Sequence, residues 1–216
     1  MATNEPILPA EESNVTADNK ARSIMMWASI IIAVVVIGVL LYIFAYKQPA
    51  VEKGNRAIGE ADRIAMFEGN DSTALAAYQA VAADHGFDAG NRANLESAVL
   101  LYQKGEYQQA LDYVSKYDAT DNVVGPLAYG LKGDCLVNLD KYADAVKAFD
   151  KAISASDNNP QLVPYFLNKK AVVLSAEGKH AEAAKAYKEI EQKYPYYAQR
   201  AAIEGRRVQA EALAGK

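Results

Sequence analysis

Two hydrophobic patterns divide the chain. From Ile24 to Tyr46 no residue is charged, and the run Ile30 to Leu41, I-I-I-A-V-V-V-I-G-V-L-L, is apolar on every helical face. About 20 such residues cross a hydrocarbon core as a helix, so this stretch predicts a transmembrane helix. Beyond it the apolar positions thin out and recur at helical intervals. Tyr107, Ala110 and Val114 form one set, Tyr142, Ala145 and Phe149 a second, and His180, Ala183 and Tyr187 a third. Within each set the residues lie three and then four apart, on one helix face. The sets follow one another after 35 and then 38 residues, the period of a helical-pair repeat.

These patterns predict an all-α chain in five parts. Met1 to Ser23, polar and carrying Pro6 and Pro9, reads as a disordered tail, and 24–46 is the span. Residues 47–90 hold a linker helix, Val51 to Phe67, and a helix from Asp71 to Asp84, joined by the turn Glu68 to Asp71 as a degenerate hairpin. A loop from Asp84 to Asn91 leads into three repeats over 91–195. Their first helices are expected at Arg92 to Gln103, Leu127 to Asn138 and Leu162 to Ala176, and their second helices at Tyr107 to Tyr117, Tyr142 to Ser156 and Ala181 to Lys193. Gly105, Asp140 and Gly178 fall in the turns within pairs; Pro126, Pro160, Pro164 and Pro195 fall between pairs, where a helix stops or starts. Tyr196 to Ala214 reads as one capping helix within the closing segment 196–216.

Flanking residues bear on the span. Trp27 near one end and Tyr42 and Tyr46 near the other suit interfacial belts. A cleaved leader would have a shorter apolar region and a small-residue cleavage site, whereas this run ends F-A-Y-K-Q-P-A. Lys20 and Arg22 precede it and Lys47, Lys53 and Arg56 follow it. That one-residue excess leans toward a cytoplasmic repeat domain, yet long domains translocate largely regardless of such charge.

The repeats resemble tetratricopeptide repeats. The family's small residue in the first helix matches Ala98, Gly133 and Ala171, its following large residue Leu101, Leu136 and Leu174, and its paired alanine Ala110, Ala145 and Ala183; the closing proline is present as Pro195. Ser97, Lys132 and Lys170 depart from the usual large apolar residue, and Asn94, Tyr129 and Leu167 stand at the usual tryptophan position. The layout also resembles the membrane-anchored members of bacterial envelopes, a group that includes the ancillary subunit of the Sec translocon. That resemblance implies a bacterial inner-membrane protein with a periplasmic repeat domain, bound to translocon, envelope-assembly or exported proteins.

Composition narrows the chemistry. The formal charge of −4 offers no basic excess for nucleic acid. Cys135 is the single cysteine, and His85 and His180 have no neighbours at ligand spacing. Neither phosphate loop nor nucleophile motif is present, so no enzyme, cofactor, metal or small-molecule substrate is expected. What remains is a protein-binding surface. The resemblance places the first helices on the inner face, with Arg92, Leu95, Val99 and Tyr102, then Leu127, Gly130, Asp134 and Val137, then Tyr165, Asn168, Val172 and Ser175 pointing inward. The lysine and asparagine clamp by which some family members hold a C-terminal carboxylate is missing, since those positions carry Leu95, Val99, Gly130, Asp134, Asn168 and Val172. A groove for an apolar or helical segment is the expectation. The expected role is a non-catalytic membrane-anchored scaffold or chaperone-like factor; the alternative is a cytoplasm-facing receptor or assembly scaffold of the same fold.

Overall fold

In the computed structural model, residues 12–67 and 70–215 are described, and among them every regular element is helical. They fall into two compact units that divide between Glu52 and Lys53. The first unit holds α1 (Glu12–Leu41), a π-helical segment (Tyr42–Lys47) and the start of α2 (Gln48–Phe67). Of the predicted tail, residues 1–11 lie outside the described residues. From Glu12 to Ser23 the backbone is helical, a correction to that prediction. Past Pro9 no proline or glycine interrupts the stretch, and an adjoining apolar helix supplies the nucleus that a short polar segment lacks.

The π-helical segment has a local cause. Pro49 has no N–H to give, and its ring opposes the carbonyl four residues earlier. The ladder is widened just before it, with the Gln48 N–H donating to Ile43 O, five residues back. One helix here, Lys20–Phe67, is long and apolar enough to cross a membrane by length and composition, and no part of its apolar window is buried.

The second unit continues with α3 (Asp71–Asp84), α4 (Phe87–Gln103), α5 (Tyr107–Val114), α6 (Val124–Asn138), α7 (Tyr142–Ala155), α8 (Leu162–Ala176), α9 (His180–Lys193), α10 (Pro195–Arg200) and α11 (Ile203–Ala214). From α4 to α9 each helix packs on the one before it, and α11 closes over α9. Its core therefore runs as a chain of local clusters: Ile58, Tyr78 and Ala93 join α2, α3 and α4; Ala98, Val114 and Ala128 join α4, α5 and α6. Leu136, Phe149 and Phe166 join α6, α7 and α8, and Leu174, Ile190 and Ile203 tie α8 and α9 to α11.

Within each repeat the same turn recurs. Gly105, Asp140 and Gly178 have φ of 79°, 57° and 77°. After each, a backbone N–H reaches a carbonyl five residues back: Glu106 to Leu101, Lys141 to Leu136 and Lys179 to Leu174. Left-handed residues followed by such a bond close a helix while satisfying its last carbonyls. Ala98, Ala110, Ala145, Ala171 and Ala183 are fully buried at the crossings. At Gly133 the space is tighter, because a Cβ there would lie 2.6 Å from Cε1 of the buried Phe149 ring.

Several boundaries differ from expectation, each for a local reason. Phe87 to Asn91, read as loop, already belongs to α4. The second helix of the first repeat ends at Val114 rather than Tyr117. There Asn91 engages the backbone of Asp118 in both directions, donating to its carbonyl at 3.1 Å and accepting its N–H at 2.7 Å. α6 begins at Val124, three residues early, because Asp121 Oδ1 accepts the N–H groups of Val123 and Val124. Asn159 does the same for Gln161 and Leu162 at α8, and Pro126 and Pro164 each follow five residues after their cap. The expected single capping helix is two, broken where Ala202 adopts φ 49°.

Candidate functional site

The residues expected on the inner face fall on α4, α6 and α8. On α4, Leu95, Val99 and Tyr102 are half-buried. Arg92 is committed elsewhere: it bonds Asp62 at 2.8 Å, and Asp62 also accepts the Tyr78 hydroxyl at 2.8 Å, so these three tie α2, α3 and α4 together. Burial and that bond to Asp62 raise the Tyr78 phenol above its ordinary range. Gly130 is buried beneath the Phe166 ring, and Val137, Asn168 and Ser175 are half-buried. Three large apolar side chains of this set are open: Leu127 at 48% exposure, Tyr165 at 40% and Val172 at 47%.

Polar side chains link these helices along their length. Asn138 of α6 donates to the Tyr102 hydroxyl at 3.3 Å. Asp134 of α6 receives Lys169 of α8 on both oxygens, at 2.7 and 2.8 Å. Asn168 of α8 donates to the Tyr197 hydroxyl at 3.4 Å and accepts from Arg206 at 2.9 Å. Lys169 also stands 5.2 Å from the Tyr165 ring centroid, within cation–π range.

Burial and pairing compete at the Asp134–Lys169 pair. Burial raises the Asp134 carboxyl above the usual carboxylate range, outweighing the bond and charge of Lys169. For Lys169 burial pulls downward, but the Asp134 bond and charge prevail and hold the ammonium above its ordinary value. Tyr102 is raised first by burial and then by the Asp134 charge. Cys135, facing the core beside them, is pushed up to about 12 by burial, which keeps the thiol protonated and unreactive.

A groove of about 910 Å³ opens where Leu127 and Tyr165 meet the Pro160 turn and the segment Tyr194 to Arg200. Sequence reasoning missed Lys169 and this tyrosine segment. Lys169 had a legible signal, since Tyr165, Lys169 and Val172 share a helix face by spacing. Y-P-Y-Y at Tyr194 to Tyr197 carries no such signal, because its proline fits the close of the third repeat and its last two tyrosines fit the cap.

A tetratricopeptide repeat family model matches residues 63–124 and 131–198, more than half of the chain. The chain belongs to the tetratricopeptide repeat family. Such repeats are non-catalytic protein-interaction scaffolds. The match begins at residue 63, so the family pattern reaches back into α2. A crystal structure of MamA superposes with a TM-score of 0.54 at 18% identity, covering 71% of this chain and 91% of that one. A second MamA protein structure gives 0.56 at 20% identity, covering 76% and 89%. At such identity the likeness is one of fold. No curated protein sequence matches the chain.

Proposed function

We propose that this tetratricopeptide repeat protein is a single-pass membrane protein whose repeats hold protein segments close to the bilayer. Residues 24–46 are the anchor, 91–195 the three binding repeats and 196–216 the cap. The observation that carries the binding reading is the open apolar set Leu127, Tyr165 and Val172 on neighbouring first helices, where a fold built only for its own packing would place polar residues. For the anchor, support comes from Ile24 to Leu41, whose large apolar side chains all face outward. Lipid satisfies such a surface and water does not. A tether of this kind raises the local concentration of the groove near its clients.

In this reading the repeats lie outside the cytoplasm and receive translocating or envelope proteins, in keeping with the resemblance to the Sec-associated group. A photo-crosslinking residue at Val172, used in intact membranes, is expected to capture a partner. Val172→Glu should lower capture through wild-type-compatible probes at Leu95 by about tenfold. Capture at unchanged yield rejects the inner face, and recovery without any translocon or exported protein rejects the Sec-linked role. The flanking Lys47, Lys53 and Arg56 favour the cytoplasm-facing alternative by one residue. An alkaline phosphatase fusion at the C-terminus separates the two: activity supports export, and a stable but inactive fusion supports the cytoplasmic receptor.

A further inference from the structure

The groove beside α10 differs in chemistry from the rest of the inner face. Its walls carry Leu127, Pro160, Tyr165, Tyr194, Tyr196 and Tyr197, four phenol rings in one opening. Tyr196 is 74% exposed, although a ring of that size is a large apolar surface to leave in water. The hydroxyls of Tyr194 and Tyr196 make no hydrogen bond to any described residue, while that of Tyr197 already receives Asn168. Two cations, Lys193 and Arg200, complete the lining, and no carboxylate is among the lining residues. Lys193 is paired with Glu189 at 2.8 Å. The Arg200 guanidinium lies 5.7 Å from the Tyr196 ring centroid, and no carboxylate is paired with it among the described residues.

We propose that this groove takes an extended, proline-bearing segment of a partner protein with an acidic residue beside the prolines. Pyrrolidine rings pack on aromatic faces, and a polyproline II segment is preformed, so little ordering entropy is lost on docking. Its carbonyls have no internal partners and accept the free phenol hydroxyls of Tyr194 and Tyr196. A helical ligand has its carbonyls engaged already and leaves those donors facing satisfied backbone. Arg200 then meets the flanking carboxylate, an arrangement favoured by a lining that brings no acid of its own. The volume suits a few residues of such a chain. The proposal rests on the repeats being a protein-binding unit and names a partner class for one end of it.

The test uses the full chain in detergent micelles and a fluorescein-labelled peptide, Glu-Glu-Pro-Leu-Pro-Pro-Leu-Pro-Glu-Glu, read by anisotropy. Two companions replace every proline with alanine, or every glutamate with lysine. The proline–glutamate peptide is expected to bind at least about tenfold more tightly than either. Tyr196→Ala and Arg200→Glu, both at exposed positions, should weaken it by about tenfold, with Arg200→Glu regaining affinity for the lysine peptide. Equal binding of the alanine peptide, or indifference to both variants, overturns the proposal. Because Val172 lies outside the groove lining, crosslinking there continues to report on the repeats as a whole. A lost peptide signal with retained Val172 capture rejects this groove alone, and loss of both rejects the protein-binding reading as well.

Discussion

At Gly133 the first helix of the second repeat touches Phe149 so closely that even a methyl group has no room. Phe149 is itself buried against Phe166, Ala145 and Val173, so its ring has little freedom to retreat. Gly133→Ala is therefore expected to lower stability by about 1–3 kcal/mol despite its helix-favouring methyl, measured by urea denaturation of the full chain in micelles. A neutral or stabilising result would show that the ring shifts freely. The Asp134–Lys169 pair gives a pH signature. With its pKa raised in the folded state, Asp134 favours folding below its unfolded pKa, and that contribution is lost as pH rises through the higher folded value. Asp134→Asn removes the titration. As pH rises through and above the ordinary aspartate range, the stability of the wild type relative to this variant should fall and then level off. A difference that instead grows with pH would show that pairing outweighs burial. Lys169 contributes in the alkaline range, since its raised value keeps the ammonium charged until pH passes above the ordinary lysine pKa.

Helices in the second unit are closed by recurring local devices, and most of these were legible in the chain. Gly105, Asp140 and Gly178 sat at the repeat period, and the structure gives all three the left-handed turn. The caps Asp121 and Asn159 carry a local signal too, as polar residues two ahead of the first N–H groups they bind. The break between α10 and α11 was not legible. Tyr196 to Ala214 has no proline or internal cap, and Ala201 and Ala202 are strong helix formers. Tertiary packing overrides that propensity: Ile203 must enter the core beside Ile190, and Ala202 takes φ 49° to turn the chain there. A left-handed alanine carries strain that glycine does not. Ala202→Gly should raise stability by about 0.5–1 kcal/mol in the same denaturation assay. A loss would show that the strain is absent.

Across the second unit, stability is passed along the stack, as each cluster joins helices that lie near one another in the chain. The end of such a stack is its weak point. α11 covers Ile190 and Tyr187 through Ile203 and Ala210, and Arg207 binds both Glu191 and Glu211 at its polar edge. Truncation after Lys193 would leave the buried face of α9 in water, so the shortened protein should aggregate or lose helicity at α8 and α9 first, seen by hydrogen exchange as lost protection there while α3 and α4 stay protected. Uniform loss along the chain would instead point to one cooperative unit. By itself the sequence determined the apolar helix, the repeat period and the small residues at the crossings, because each follows from short-range spacing on a helix face. Only the tertiary structure decided which polar side chains are spent on internal ties and which are left open. Arg92 is taken up by Asp62, a residue 30 positions earlier, whereas Tyr194 to Arg200 come to face Leu127 and Tyr165. Spacing within one helix carries no information about those partners, since they are set by how successive helices stack.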